Sequence, residues 1–440
     1  MITELKTEIK YQEIFVAGQR EPIVILNNLL QAGIFSKYVM YAGNNEVRIA
    51  GNELLKVSVS QDSVSINGLG NAYSEPSSDP LKQVENLLKS LTIENWTAYG
   101  YVAFDVARFY FSYSKSIAQE IIYFLIPETE LRFTDKGVYI RTTKSLQQVK
   151  EQLFVNLSLT DYLPTPLLIN FGDRQNYQNR ISTLIKAIKQ GELHKAIISR
   201  SIKLTGNLDV IGTYLVGNKA NNAARSYCLD VGNVQAVGFS PEILMQVNRD
   251  RFVVTNPLAA TRPRGKTLEQ DARLSDELFT DAKEVKEHSL SVWLAQTEIA
   301  SLCLPETVQI FDFMEVKKYR CVQHLSSRVG GQLQPEKTFW DALKVLFPGI
   351  TISGIDKEKA LEWIDRLEDE PRGIYAGGIG WVDSSGAADI AIAIRSVYQY
   401  GNSIYLNAGA GIIAESVPEN EYIESVNKMN TMLTNLVLKS

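Results

Sequence analysis

The sequence predicts an α+β fold in which helices lie outside antiparallel sheets, and two observations carry that expectation. Short β-branched or alternating runs follow one another across polar turns too brief for a helical crossover, as at 226–230 and 234–238 and again at 388–398 and 403–410. Helical stretches with one apolar face punctuate these runs without alternating strictly with them, which argues against a doubly wound parallel sheet. The chain has 440 residues, 45% hydrophobic and 22% charged. That length supports a sizeable core, and the composition excludes disorder, collagen and coiled coil.

Taken in order, the first 165 residues read mostly as short strands, such as 97–104 and 137–142, with intervening helices. The serine- and proline-rich stretch 71–79 reads as a surface loop. Asp79 is placed to cap a helix whose first residue is Pro80 and whose apolar face is Leu81, Val84, Leu88 and Leu91. A proline-bearing stretch at 162–166 separates this part from the rest. Tyr177, Ile181, Leu184 and Ile188 then mark one helix face, with Gly191 at the left-handed C-terminal position. Strands are expected at 195–204, 226–230, 234–238 and 252–255, followed by a long helix over 281–302. The last third reads as strands at 376–382, 388–398 and 403–410 and a final helix over 418–436.

Lysine plus arginine number 45 against 50 aspartate plus glutamate, a net charge of −5, and no basic run is long. Nucleic acid is therefore not an expected partner. The longest apolar stretches, such as 387–394 with Asp389 inside it, fall short of the roughly 18 residues a membrane helix needs. Residues 1–21 carry neither a basic leader nor a cleavable apolar core, so a cytoplasmic location is expected. Cys228, Cys303 and Cys321 lie far apart and read as buried thiols. With only His194, His288 and His324 present, a catalytic metal would have to lean on carboxylates.

Several segments could carry chemistry. Gly409 and Gly411 allow close backbone approach to a ligand and precede a helix in which Ser416 and Glu419 have capping-box spacing. Glu421, Glu424 and Lys428 then share one helix face, and Glu284 and Glu287 form a second carboxylate pair three residues apart. Each pair reads equally as a solvated face, and Glu284 also as the partner of an Asp281 cap. Together they would make an all-oxygen site suited to Mg²⁺. Lys195 shares a strand face with Ile197 and Ser199. Facing inward, it could act as a general base, and at a sheet edge it would be an ordinary solvated lysine. Glu242 follows a Ser-Pro corner, where it could be kept protonated as an acid or simply start a helix. Residues 256–265 form a proline-bracketed basic loop, and Arg395 sits inside an apolar strand, suited to clamp a carboxylate or to make a buried ion pair.

These segments, in their order, resemble the chorismate-utilising family of anthranilate, aminodeoxychorismate, isochorismate and salicylate synthases. The similar stretches are KAIISR (195–200), GFSPE (238–242), PLAATR (257–262), KEVKEH (283–288), VQHLSS (322–327), FPGITISGIDK (347–357), RGIYAGG (372–378) and 409–428. A weaker likeness appears earlier, at 99–105. The resemblance implies two stacked antiparallel sheets flanked by helices in one chorismate-binding domain, 1–440. Residues 1–170 would be its more divergent part and 171–440 its motif-bearing part.

Lys195 stands where water-using members carry their base and ammonia-using members have glutamine. Ala259 stands where aminodeoxychorismate synthases have a nucleophilic lysine, so no covalent adduct is expected. The run 350–355 is most similar to salicylate synthases, and no Leu-Leu-Glu-Ser motif of feedback-inhibited anthranilate synthases is present. The resemblance thus implies a salicylate synthase that converts chorismate to salicylate and pyruvate through isochorismate, of the kind that supplies siderophore pathways. The alternatives are an isochorismate synthase lacking the lyase step and a non-catalytic chorismate-binding homologue.

By the same resemblance Lys195 is the base and Glu242 the acid, while His324 and Thr351 orient the intermediate. Leu258, Ala260, Thr261, Tyr375, Arg395, Gly409, Gly411 and Lys428 contact substrate. Glu284, Glu287, Glu421 and Glu424 hold Mg²⁺. A monomer is expected, with no glutaminase subunit, nucleic acid or membrane as partner. Asn256 departs from the glutamate usual in salicylate synthases, where other branches have arginine or serine, and Ala260, Ser326 and Asp356 depart from glycine, glycine and proline.

Overall fold

The computed structural model describes residues 9–43, 45–156, 159, 161–167, 169, 171–318 and 322–439, and of residues 259–261, 283 and 322 the backbone only. Two long strands organise it. Glu46–Val59 and Ile122–Phe133 pair along their length, with an irregularity between Glu53 and Leu55. Their two halves have different outer partners. Residues 46–51 pair with Tyr38–Gly43, and 55–59 pair with Ser63–Gly68. On the other side, residues 129–133 pair with Gly137–Thr142, and 122–125 pair with Thr97–Val102. The two long strands therefore belong to two sheets at once.

The first sheet continues from Tyr38–Gly43 through Arg225–Asp230, Val234–Ser240, Ser396–Tyr400, Ser403–Ile412 and Lys195–Thr205 to the short Gly354–Ile355. The second runs from Thr97–Val102 through Gly378–Asp383, Ala388–Ile392, Ile243–Val247 and Phe252–Thr255 to Val322–Gln332. All of these pairings are antiparallel, as the short polar turns predict. Residues 97–102 lie directly beside 378–383, far apart in the chain.

The two-residue period of the strands divides the core in two. Tyr227 and Leu229 pack with Tyr99, Tyr101, Ile379 and Ile390 in the layer between the sheets. Cys228, Val237, Val397 and Leu406, on the opposite face, pack against Ile25, Leu26, Leu29, Met429 and Leu433 of the flanking helices. One polar group bridges the stacked sheets: the buried Arg225 guanidinium meets Asp389 at 2.8–3.0 Å, and Tyr41 and Gln246 donate to the same carboxylate at 2.7 Å. No helix among the described residues is long and apolar enough to cross a membrane.

Several sequence expectations need correction. Residues 71–76 are not loop but an edge strand, Asn71–Pro76, paired with Ser63–Gly68. Asp79 makes no side-chain cap, because its carboxylate accepts from Tyr110 Oη (2.6 Å) and Lys344 Nζ (2.8 Å). The run 388–398 is two strands, Ala388–Ile392 and Ser396–Tyr400, broken where Arg395 adopts φ +50°. The long helix is preceded by Leu268–Thr280 and separated from it by Asp281, so it begins at Ala282. The final helix, Pro418–Leu433, is not capped by Ser416, whose hydroxyl instead accepts Ile413 N–H at 3.1 Å. Gly191 does adopt the left-handed conformation, at φ +84°. Cys228 and Cys303 are buried free thiols; Cys321 lies outside the described residues.

Candidate active site

Where the Lys195 strand, the Glu242 corner and the helices Ala282–Ala300 and Pro418–Leu433 converge, they enclose a cavity of about 670 Å³. Thirteen of the residues singled out from the sequence line it: Lys195, Glu242, Leu258, Glu284, Glu287, His324, Thr351, Tyr375, Arg395, Gly409, Gly411, Glu424 and Lys428. Glu421 does not. It is 2% exposed and lies on the helix's buried stripe with Ser425 and Met429. The side chains of Ala260 and Thr261 lie outside the described residues.

One wall carries an acid. The strand Val234–Ser240 ends at a corner closed by Ser240, whose hydroxyl donates to Glu242 O at 2.8 Å and accepts Glu242 N–H at 3.2 Å. With Pro241 fixing φ, this turn sends the Glu242 side chain into the cavity, where it is 5% exposed. Thr351 Oγ1 donates to its Oε1 at 2.6 Å and Leu258 N–H at 3.2 Å. Burial pushes this carboxyl up to about 7, against the opposing pull of those two donors, Lys195 and Lys428. Near neutral pH it can therefore give or take a proton.

The facing wall carries a lysine. Lys195 opens its strand, is 1% exposed, and holds Glu287 Oε1 at 2.8 Å. The pair fits because residue 411 is glycine: a Cβ there would stand 2.7 Å from Glu287 Oε1 and 3.1 Å from Lys195 Cε. Gly409 and Gly411 are strand residues, paired with Ser199 and Ile197; the expected strand 403–410 runs two residues further, to Ile412, before the chain enters the last helix. Behind Glu287, His288 is fully buried with Nε2 2.8 Å from Ser327 Oγ. Burial, helped by Lys195, lowers its pKa to about 4, so it is neutral.

Cations gather at the remaining end. Lys428 Nζ bonds Glu424 (2.6 Å) and Gly409 O (3.0 Å). Burial opposes its charge, but Glu424 outweighs burial and the pKa is raised. Arg395 is turned into the cavity by its left-handed backbone. Beside it, burial raises the Tyr375 phenol, which stays protonated as a donor. Arg262, on the cavity wall, reaches Asp281 at 2.7 Å and Glu284 at 3.1 Å.

The donors that could hold a divalent cation are the carboxylates Glu284, Glu287 and Glu424, with Glu421 close by on the same helix as Glu424. An all-oxygen set of this kind fits Mg²⁺ in charge and hardness. In this structure three of them are held by cations of the chain itself, Arg262, Lys195 and Lys428. Among the described residues no three His, Cys, Asp or Glu side chains are grouped closely enough to form a metal site. Seating a divalent ion would mean opening those pairs.

The spacing argument missed several lining residues. Asn420, Glu424, Asn427 and Thr431 recur at three- and four-residue intervals, and Asn407, Gly409 and Gly411 at two. Continuing the helical spacing one step from Glu424 and Lys428, and the strand alternation one step back from Gly409, finds them.

Comparison with known proteins adds the family. A model of chorismate binding enzymes matches residues 39–434. A salicylate synthase of Mycolicibacterium paratuberculosis is 39% identical over 267 residues, 61% of this chain and 59% of that protein. An anthranilate synthase component 1 of Haloarcula marismortui is 40% identical over 269 residues, 60% of this chain and 50% of that protein. The aligned stretch thus spans little more than half of these relatives. Among solved structures, anthranilate synthase component I from Streptococcus pneumoniae superposes with a TM-score of 0.78 at 28% identity, covering 89% of this chain and 93% of that one. The menaquinone-specific isochorismate synthase of Escherichia coli, at 22% identity and a TM-score of 0.76, covers 98% of this chain and 97% of its own and shares the fold.

Proposed function

The chain belongs to the chorismate-binding enzyme family, and from that premise we propose that it is a salicylate synthase, converting chorismate to salicylate and pyruvate through isochorismate. The observation that carries this reading is the cavity itself, which brings together a buried lysine and a buried carboxyl that can be protonated near neutral pH. Lys195, acting as the neutral amine, takes a proton from the water that attacks C2 of the ring. Glu242 gives a proton to the hydroxyl that leaves C4, so the first step is an isomerisation with no net gain of water. Arg395 and Tyr375 hold the enolpyruvyl carboxylate, and Lys428 the ring carboxylate. In the second step the C2 hydrogen passes to the enolpyruvyl methylene as the C–O bond breaks, releasing pyruvate. His324 and Thr351 orient the intermediate for that transfer.

Glu284, Glu287, Glu421 and Glu424 would hold Mg²⁺, whose charge would offset that of the ring carboxylate. Stripping divalent ions with EDTA should then abolish turnover, and added Mg²⁺ should restore it. Full turnover with metal content confirmed as nil would remove the metal from the proposal.

A second reading, an isochorismate synthase that stops after the first step, is favoured by one contact. The Thr351 hydroxyl gives its one proton to Glu242 at 2.6 Å, so toward a bound intermediate it can only accept. Chromatography of a chorismate reaction with pyruvate measured in parallel separates the two. Salicylate with equimolar pyruvate is expected, and Thr351→Ala should shift the product toward isochorismate. Stable isochorismate without pyruvate would sink the first reading and leave the second. Anthranilate as the main product in ammonium salts would sink both.

A further inference from the structure

Two separate strands, Phe252–Thr255 and Leu258–Pro263, pair with the single strand Val322–Gln332. The register runs on without a slip between them, from Thr255 opposite Val329 to Leu258 opposite Ser326. Pro257 therefore faces Ser327, and Ser327 N–H bonds Pro257 O at 3.3 Å. An antiparallel pair of this kind normally exchanges two bonds. Proline has no N–H to return, which would leave the buried Ser327 carbonyl without its ladder donor. Asn256 supplies that donor: its Nδ2 reaches Ser327 O at 2.7 Å and Ser326 Oγ at 3.0 Å. A carbonyl can only accept, which fixes the nitrogen of the amide on that side.

The consequence appears one residue on. Leu258 occupies the next, non-exchanging pair, so its N–H points away from the Val322–Gln332 strand, and there it meets Glu242 Oε1 at 3.2 Å. We infer that Asn256 is a positioning residue for Glu242: its side-chain amide replaces the backbone donor that Pro257 lacks and so fixes the place from which Leu258 N–H binds the Glu242 carboxyl. The use of this contact in turnover rests on the reading of Glu242 as the acid. The other groups acting on that carboxyl are the Thr351 hydroxyl, Lys195 from the Lys195–Thr205 strand and Lys428 from the Pro418–Leu433 helix. The Asn256 amide bonds Ser326 and Ser327 instead.

The test is an infrared titration of the full chain, with the Glu242 carboxyl identified as the band that Glu242→Gln removes. In Asn256→Ala the Leu258 contact should loosen and the band should titrate about one pH unit higher, the equivalent of one hydrogen bond to a carboxylate. The high-pH limb of chorismate consumption should move up with it and kcat should fall about tenfold, with KM little changed. A purely structural role would lower activity at every pH without moving either titration. An unmoved band in folded Asn256→Ala overturns the inference. A band that moves while the activity limb stays fixed leaves the positioning role standing and refutes Glu242 as the acid. Should Asn256→Ala not fold, Ser326→Ala removes one of the two acceptors; a smaller shift in the same direction is expected, and no shift overturns the proposal.

Discussion

Glutamine at position 242 should lower chorismate turnover by about 10²-fold to 10⁴-fold, the usual size of general acid help, and alanine at position 195 should do the same through loss of the base. The expected pH dependence follows from the buried carboxyl. Glu242 is pushed up to about 7, and an acid must be protonated to act. The high-pH limb of the rate should therefore fall as pH rises through that value. Glutamine keeps the shape and can still accept from Thr351 and Leu258, so a folded Glu242→Gln protein isolates the proton from the packing. Lys195→Ala and Lys195→Met both remove the counter-charge of Glu287, which sits 2.8 Å away, and the alanine also empties a buried site, so its effect should exceed that of Lys195→Met. Steady-state assays of both variants from pH 5 to 9 decide the matter. Turnover at the parent rate by either, with the fold verified by circular dichroism, would end the assignment.

What the sequence made legible, and what it hid, follows from the range of the forces involved. Two-residue alternation reports which face of a strand is buried, so Lys195–Thr205, Val234–Ser240 and Ser403–Ile412 were readable along with the cavity-facing Gly409 and Gly411. Alternation carries no information about backbone sign. An arginine at φ +50° in an apolar run therefore passed for a strand residue, although that break is what turns Arg395 into the cavity. Helical spacing placed Glu284 and Glu287 on one face, and Glu421 and Glu424 on another. It also put Lys428 within reach of Glu424, but it could not foresee that Glu421 would join the buried stripe, nor that Lys195 and Arg262 would hold Glu287 and Glu284. Lys195 and Arg262 arrive from strands remote in the chain, and long-range pairing leaves no periodic trace, whereas Lys428 stands four residues from Glu424 on one helix. Asn256 was visible only as an unusual residue. Its role needed the register of Val322–Gln332 against two separate strands.

The largest loss of stability should come from a residue that never touches the cavity. Arg372 is 1% exposed, and four guanidinium contacts are made at once: to Glu368 Oε2 (2.9 Å) and Oε1 (2.6 Å), Ile352 O (2.7 Å) and Ile197 O (2.7 Å). Glu368, 6% exposed, also accepts Ser199 N–H at 2.6 Å, and the Arg372 guanidinium stands 4.4 Å from the Phe104 ring centre. One buried ion pair thus ties the loop after Thr351 to the strand that begins with Lys195. Methionine at 372 would fill much of the volume but leave a buried carboxylate unpaired and two carbonyls unbonded, a loss of about 3–5 kcal/mol for breaking such a pair. Lysine, with one compact charge, can reach some but not all of the four acceptors and should fall between. Replacing both partners, Arg372→Met with Glu368→Leu, should recover part of the deficit, because no charge is then stranded. Denaturant unfolding of the three variants measures this directly. A loss below about 1 kcal/mol for Arg372→Met, or a double variant no more stable than the single one, would show that the pair does not bind these two segments together.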